Sequence, residues 1–403
     1  MDFGFTKEQE EFRKEVRNFL EEEIAAGSFS PRVGTPIAGN QFLSNGGLVA
    51  GSSQEFSLKL AEKNWIGLTW PKKYGGQERS YVDKMILNEE LFNVRAPVGY
   101  HFAADRQVGP ALIKHGSEWQ REYFIPRIVN ADDGVGFCLL FSEPGAGSDL
   151  SAVATTAVKD GEYYVLNGQK VWTSGGHQSD YGWCLARSVF DDSIPRAHSC
   201  SELIVDMKLP GVTIRPLINC AGVHSFNEIF LDNVKVHEKY LVGQEGAGFK
   251  QIAAQLDYER AGIERLIQNY PVYTQLVAYV KQMDKDTTSY RLARNAVAQA
   301  EIEYQAGRLL CYRGAWNVDQ GALSSSDAAL CKAYCTQVEQ RLNDLATKIV
   351  GPRSQIGMDS QWSPFGGDLA DSYLWGPSYT LQGGAVEVLK NIAAQRGLGL
   401  PRR

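Results

Sequence analysis

No apolar run in this 403-residue chain approaches the ~18 residues that a membrane-spanning helix needs, so no bilayer crossing is expected. Long basic blocks are missing as well. At a net charge of −6 the chain lacks the clustered positive surface that nucleic acid demands, so neither nucleic acid nor a membrane is expected as a partner. The seven cysteines are an odd set with no CxxC pair, so no disulfide framework and no metal site is expected. Cys331 and Cys335 fall four apart on an expected helix and read as small buried residues. The opening MDFGFTKEQEEFRKEV is acidic and amphipathic, unlike a secretory or transit segment, and a cytoplasmic location is expected.

What is present describes a globular protein. Hydrophobic residues make up 43% and charged residues 22%, and the length allows two or three domains with substantial cores. Residues 5–24 read as a helix, with Phe5, Phe12, Val16, Phe19 and Leu20 at helical spacing among charges. A Gly-, Ser- and Asn-rich stretch follows over 28–57, too long for an ordinary connection. Helical patterning returns at 57–64, 80–94, 109–116 and 118–130. From about 134 to 243 the chain changes to short segments of β character, at 136–141, 152–158, 163–167, 181–187, 202–206, 212–216 and 227–236. Asp160-Gly161, Asn167-Gly168, Pro210-Gly211 and Asp232-Asn233 read as turns between them. Long helices are expected again at 249–270, 271–283, 289–319 and 325–350, with little helix signal over 357–377. The fold class is therefore α+β. An N-terminal α-helical domain (1–133) precedes a middle β-barrel or sandwich domain (134–245) and a C-terminal four-helix-bundle-like domain (246–403).

The most informative stretch is SEPGAGSDLSAVATTAVKDGEYYVLNGQKVWTS, residues 142–174. A glycine-rich turn follows an apolar run, and glycines let a backbone approach a ligand closely. The stretch closes on Trp172, Thr173 and Ser174, an indole followed by two hydroxyls that suits a flat ring carrying heteroatoms. Taken alone, GAGSD is a common surface turn and Trp172 an ordinary core residue. Together, SEPGAGSD and NGQKVWTS resemble the acyl-CoA dehydrogenase family, and the resemblance, like the α–β–α order, extends over nearly the whole chain.

The resemblance implies FAD as cofactor and an acyl-CoA thioester as substrate. A carboxylate base takes the Cα proton, a hydride leaves Cβ for the flavin, and a trans-2-enoyl-CoA is formed. It assigns flavin-ring contacts to Leu139, Leu140, Phe141 and Ser142 on one edge, and to Trp172, Thr173 and Ser174 on the other. Ser148 matches a position touching the CoA arm or the flavin, and Asp257 one touching the CoA chain. Most members carry their base in a Glu-Gly pair near the C-terminus, where this chain has Gln382-Gly383-Gly384, and an amide cannot abstract a proton. Gly383 and Gly384 keep the places of substrate and cofactor contacts. Glu387 stands where the family also keeps a glutamate and reads as structural. A second group, which includes isovaleryl-CoA dehydrogenases, has its base on a long helix in an L-D-x-E-R context. Here Leu256, Asp257, Glu259 and Arg260 match every fixed position, so Glu259 is the expected base and Arg260 its neighbour at the substrate. On a bare helix, Glu259 would read as a surface glutamate paired along its helix.

Two stretches depart from the family. Residues 284–290 lack the expected Arg and Phe-Gly, and 349–353 lack a second glycine and carry Pro352, which has no backbone donor for a phosphate. Both belong to the half of the FAD site that family homotetramers share across subunits. A similar pattern occurs in actinobacterial sterol side-chain enzymes that assemble as α2β2, so a homotetramer and an α2β2 hetero-oligomer are both expected possibilities. An electron-transferring flavoprotein is the implied electron acceptor, and a branched, long or bulky acyl group the implied substrate. Two other readings share the scaffold: a non-catalytic subunit completing a partner's site, and a flavin monooxygenase or nitroalkane oxidase, against which the retained Glu259 counts.

Overall fold

The computed structural model describes residues 4–31, 53–191, 193–358 and 360–401, with the side chains of 254 and 256–259 outside the described set. Most of the expected 28–57 loop therefore lies outside the described residues. In chain order, helices α1 (Lys7–Ala25), α2 (Gln54–Glu62), α3 (Tyr81–Asn93), α4 (Gly99–Ala103), α5 (Gly109–His115) and α6 (Glu118–Val129) come first. Strands β1 (Phe137–Leu140), β2 (Thr156–Asp160), β3 (Tyr163–Lys170), β4 (Tyr181–Arg187), β5 (Cys200–Asp206), β6 (Val212–Ile218), β7 (His224–His237) and β8 (Leu241–Val242) follow. Helices α7 (Gly248–Arg260), α8 (Tyr270–Lys281), α9 (Thr288–Asp319), α10 (Ser325–Val350), α11 (Asp368–Leu381) and α12 (Val386–Ile392) complete the order. A helical N-terminal part, a sheet-containing middle and a helical C-terminal part are present as expected. Among the described residues no helix is long and apolar enough to cross a membrane.

The described residues form two compact units, one within Gln41–Arg79 and Pro97–Glu259, the other within Met1–Asn40, Ser80–Ala96 and Arg260–Arg403. In the first, the strands join in the order β6-β7-β3-β2-β4-β5-β8, with β1 parallel to β4. The two halves of this sheet meet through a single register pair, Thr156 with Arg187. Side chains from both halves, including Leu140, Ala157, Leu166, Cys184, Leu203, Ile229 and Val236, enclose one core. Burial alternates along β7 at Ile229 and Leu231 and again at Val234 and Val236, as a strand with one buried face requires; between them Asp232-Asn233, expected as a turn, lies within the strand, with both residues exposed and Asn233 at φ 51°.

In the second unit, Thr6 and Ser80 cap α1 and α3 with reciprocal capping boxes. Helix α1 buries Phe12, Val16, Phe19 and Leu20, the stripe its spacing predicts. It also buries Arg13, whose guanidinium donates to Glu89 at 2.7 Å, to Glu90 at 2.5 Å and to the Tyr312 hydroxyl at 2.8 Å. Arg308 adds a further donor to Glu89. This network ties α1 to α3 and α9, and removing one partner would strand a buried charge at a cost of about 3–5 kcal/mol.

Several boundaries differ from the sequence reading. The helix expected over 249–270 ends at Arg260, because Gly262 turns extended (φ −70°, ψ 144°) before a short 3-10 turn, Ile263–Arg265. The stretch 357–377, expected to be largely non-helical, contains most of α11. Gly367 caps that helix in a left-handed conformation, and Asp368 and Asp371 in its first turn outweigh Pro377 further on. Asn167-Gly168 is a bulge within β3 rather than a turn, since a Cβ on Gly168 would come within 2.7 Å of Thr155 Cβ. Strand β2 begins at Thr156, not 152, and α4 was not expected.

Candidate active site

The glycine-rich turn is built on a buried ion pair. Strand β1 sends Cys138 and Leu140 into the core, leaving Leu139 half-buried on the opposite side. Beyond it, Glu143 and Ala146 exchange backbone hydrogen bonds of 2.8 and 3.1 Å, closing a tight turn around Pro144 and Gly145. The Glu143 carboxylate accepts from the Ala154 and Thr155 amides at 2.7 and 2.9 Å and from Lys170 Nζ at 2.8 Å. Lys170, fully buried, also donates to the carbonyls of Phe141 and Leu185 at 3.1 and 2.6 Å. Burial alone would raise the Glu143 carboxyl, but the Lys170 charge and these hydrogen bonds hold it below its ordinary value. Ser148 is exposed, and so is the space beside Gly145 and Gly147, where an added Cβ would meet nothing within 4 Å. Neither glycine has a positive φ, so local folding does not demand glycine at either position.

At the far end of the segment Trp172 is held left-handed at φ 61°, a strained state for a bulky residue, and is 62% exposed. Thr173 is buried, and its Oγ1 has no hydrogen-bond partner among the described residues. Ser174 is exposed. Asn227 of β7, fully buried, fixes this corner: its Nδ2 donates to the Thr173 carbonyl at 3.0 Å and to His177 Nδ1 at 3.2 Å. Its Oδ1 accepts from His224 Nε2 at 2.8 Å, and the two imidazoles stack with centroids 3.9 Å apart. An orphaned hydroxyl beside an exposed, strained indole is an arrangement that a flat polar ligand would complete, and its donor set fits an isoalloxazine ring.

The backbone of Asp257 and Glu259 lies on the last turns of α7; both side chains fall outside the described residues. In the other unit, Arg260 Nε donates to the Gly383 carbonyl at 3.4 Å. Gly383 (φ 65°) and Gly384 (φ 111°) are both left-handed, and a Cβ on Gly383 would lie 2.5 Å from the Arg265 guanidinium. Their smallness therefore accommodates arginines rather than leaving open space. Lys332, buried on α10, donates to the Tyr379 and Gly384 carbonyls at 2.9 and 2.8 Å. Gln382 closes α11 with a buried Nε2 that has no hydrogen-bond partner among the described residues, and Glu387 is exposed in the first turn of α12.

Sequence reasoning passed over Glu143, Lys170, Asn227, His177, His224 and Lys332. The first two sit inside the quoted motifs, and a Lys and a Glu flanking a glycine turn could have been paired from the strand alternation. Nothing in the spacing foretells Asn227 or Lys332. It also did not foresee that Cys311 joins Cys331 and Cys335, at Sγ–Sγ distances of 3.6 and 3.7 Å.

Family models described as the N-terminal, middle and C-terminal domains of acyl-CoA dehydrogenases match residues 49–132, 138–234 and 246–398. The chain is 31% identical over 395 residues to acyl-CoA dehydrogenase IpdE1 of Mycobacterium tuberculosis, covering 98% of each protein. Among solved structures it resembles the Tcur3481-Tcur3483 steroid ACAD (TM-score 0.87, 28% identity, 100% of both chains). It is also similar to the ChsE4-ChsE5 complex from Mycobacterium tuberculosis (TM-score 0.82, 28% identity, 100% of both chains).

Proposed function

The chain belongs to the acyl-CoA dehydrogenase family of oxidoreductases, and we propose that it converts an acyl-CoA thioester to a trans-2-enoyl-CoA with Glu259 as base. FAD is the cofactor in this reading and, when bound, supplies the acceptor for the hydride leaving Cβ. The observation that carries the reading is the corner at Trp172 and Thr173, a strained exposed indole beside a buried hydroxyl with no partner among the described residues. Trp172 would offer the ring an apolar face, Thr173 and Ser174 their hydroxyls, and Leu139, Leu140, Phe141 and Ser142 mainly their backbone. Leu140 would contribute backbone alone, because its side chain is spent in the core. Gly384 would add a backbone contact.

Glu259 would take the proton from Cα, since position 382 holds an amide and the Leu256 to Arg260 stretch matches the group whose base lies on a helix. A glutamate placed in an apolar acyl site has its pKa raised towards the working pH. Ser148, Asp257, Arg260 and Gly383 would line the thioester and pantetheine path. The likeness to a steroid ACAD supports a bulky acyl group, and an electron-transferring flavoprotein is the acceptor that family membership implies.

A second reading, a partner-dependent subunit of an α2β2 assembly, is favoured by two regions. Residues 351–355 form a 3-10 turn opened by Gly351 at φ 74° and carrying Pro352, where the family grips the neighbouring subunit's FAD. Helix α9 also exposes Leu292, Ile302, Leu309 and Trp316, an apolar face that suits subunit assembly. The test is the visible spectrum of the purified chain, alone and with any co-purifying partner, titrated anaerobically with a panel of acyl-CoAs. A flavin band bleached by one acyl class bears the reading out. A flavin that no acyl-CoA reduces, or a chain colourless in every assembly, overturns it.

A further inference from the structure

Strand β5 is buried along nearly its whole length, yet it carries a carboxylic acid with no exposed surface, Glu202. An apolar side chain would fill that place at no electrostatic cost, so its partners matter. The Trp183 indole N–H, from β4, donates to Oε1 at 2.5 Å. From α7, Gln251 Nε2 donates to Oε2 at 2.6 Å, and Gln255 Nε2 stands 3.5 Å from Oε1. Gln251 Nε2 also reaches the Val242 carbonyl of β8 at 3.2 Å. Gln251 and Gln255 are four apart and lie on one face of α7. The start of that helix rests directly on β5: a Cβ added to Gly248 would fall 2.7 Å from Ser201 C and 2.8 Å from Glu202 N. Ile252 packs beside Leu185 and Cys200. Glu259 follows Gln251 by eight residues on the same helix, about 12 Å further along its axis.

We propose that Glu202 is a positioning residue, a buried anchor for α7 that holds the turn carrying Glu259. The consequence for turnover rests on Glu259 being the base; the anchoring itself does not. Among the described residues, the groups acting on Glu202 are Trp183, Gln251 and Gln255, all uncharged. Burial pushes its carboxyl up to about 7, opposed by those three hydrogen bonds. When α7 lifts and water reaches Glu202, its pKa returns towards the ordinary carboxylate value. The anchored state therefore binds more protons between about 4.5 and 7, so opening becomes easier as pH rises through that window and levels off above it.

Hydrogen exchange of the intact full-length protein, corrected for intrinsic rates, tests this. Opening of the α7 amides is expected to increase by on the order of tenfold from pH 5.5 to pH 8 in the wild type. Glu202→Gln does not titrate and keeps one acceptor oxygen, enough for the Trp183 indole but not for Gln251 as well, so it should lose that slope whatever it does to the strength of the anchor. Glu202→Leu removes the acceptor shared by Trp183, Gln251 and Gln255, leaving Gln251 only the Val242 carbonyl, and should raise α7 exchange at every pH and lower kcat with KM little changed. Equal slopes in wild type and Glu202→Gln would overturn the proposal, as would loosening in Glu202→Leu confined to β4 and β5. If Glu202→Leu does not fold, the comparison of wild type with Glu202→Gln decides alone. Failure of the dehydrogenase reading would show separately, as a wild-type flavin that no acyl-CoA reduces.

Discussion

Lys170 Nζ lies 2.8 Å from Glu143 Oε1, and this fully buried ammonium holds the glycine-rich turn to the end of β3. Replacing Lys170 by Met leaves the Glu143 charge without its counter-ion. A loss of about 3–5 kcal/mol in urea-derived stability is expected, together with weakened flavin retention. The Glu143 carboxyl sits below its ordinary value, so this contribution is present above that value and is lost as pH falls through the folded one. Acid unfolding followed by tryptophan fluorescence should show that loss in the wild type, and a smaller one in Lys170→Met.

His177 gives a pH dependence at a higher range. Burial and then the stacked His224 hold its pKa below the ordinary imidazole value. The unfolded chain therefore binds more protons just below pH 6.5, and stability should fall as pH drops from there towards the folded pKa. Protonation at Nδ1 also removes the acceptor that Asn227 uses. Calorimetric Tm values between pH 5 and 7.5 should show this slope in the wild type and a shallower one in His177→Gln. Asn227→Ala should cost about 1–3 kcal/mol by removing the side-chain partner of His177 and His224 and one of the two donors to the Thr173 carbonyl, which keeps the residue-227 backbone amide.

Gly383→Ala puts a methyl against Arg265 at a left-handed position. A destabilisation of about 1–3 kcal/mol is expected in denaturant titrations, with a larger effect than an Ala substitution at Gly145, whose surroundings are open.

Gln382→Glu restores a carboxylate at the position most family members use. The loop it enters has its carbonyls bound by Arg260 and Lys332, with the Arg265 guanidinium alongside, and such charges favour the ionised, weakly basic form. In a Glu259→Gln background it is expected to leave turnover at least about 10²-fold below wild type. Steady-state rates with the preferred acyl-CoA check this.

The order of helices and strands was legible because capping residues and burial alternation act locally. Thr6 and Ser80 start their helices, and β7 alternates inward and outward up to Leu231 and again from Val234. The break after Arg260 was not legible, since Gly262 sits inside an otherwise helical pattern. Helix α11 was obscured by its Gly, Pro and aromatic content, although Asp368 gains a bidentate partner in Arg95, with two bonds of 2.7 Å. At the site, the motif letters pointed to Trp172 and Thr173. The strain at the first and the orphaned hydroxyl at the second appear only when the chain is folded. Asn227 and Glu202 were invisible for a related reason: each acts through partners distant in sequence, and an isolated polar residue within a strand carries no local mark.

In the proposed reaction Glu259 takes the Cα proton. The most direct measurement is anaerobic stopped-flow of the Glu259→Gln variant, mixed with an acyl-CoA that bleaches the wild-type flavin. An intact flavin spectrum, a perturbation on ligand binding, and bleaching slowed by at least about 10²–10⁴-fold are expected. Bleaching at the wild-type rate would contradict this role for Glu259 and move the base elsewhere, with Glu387 the first position to examine.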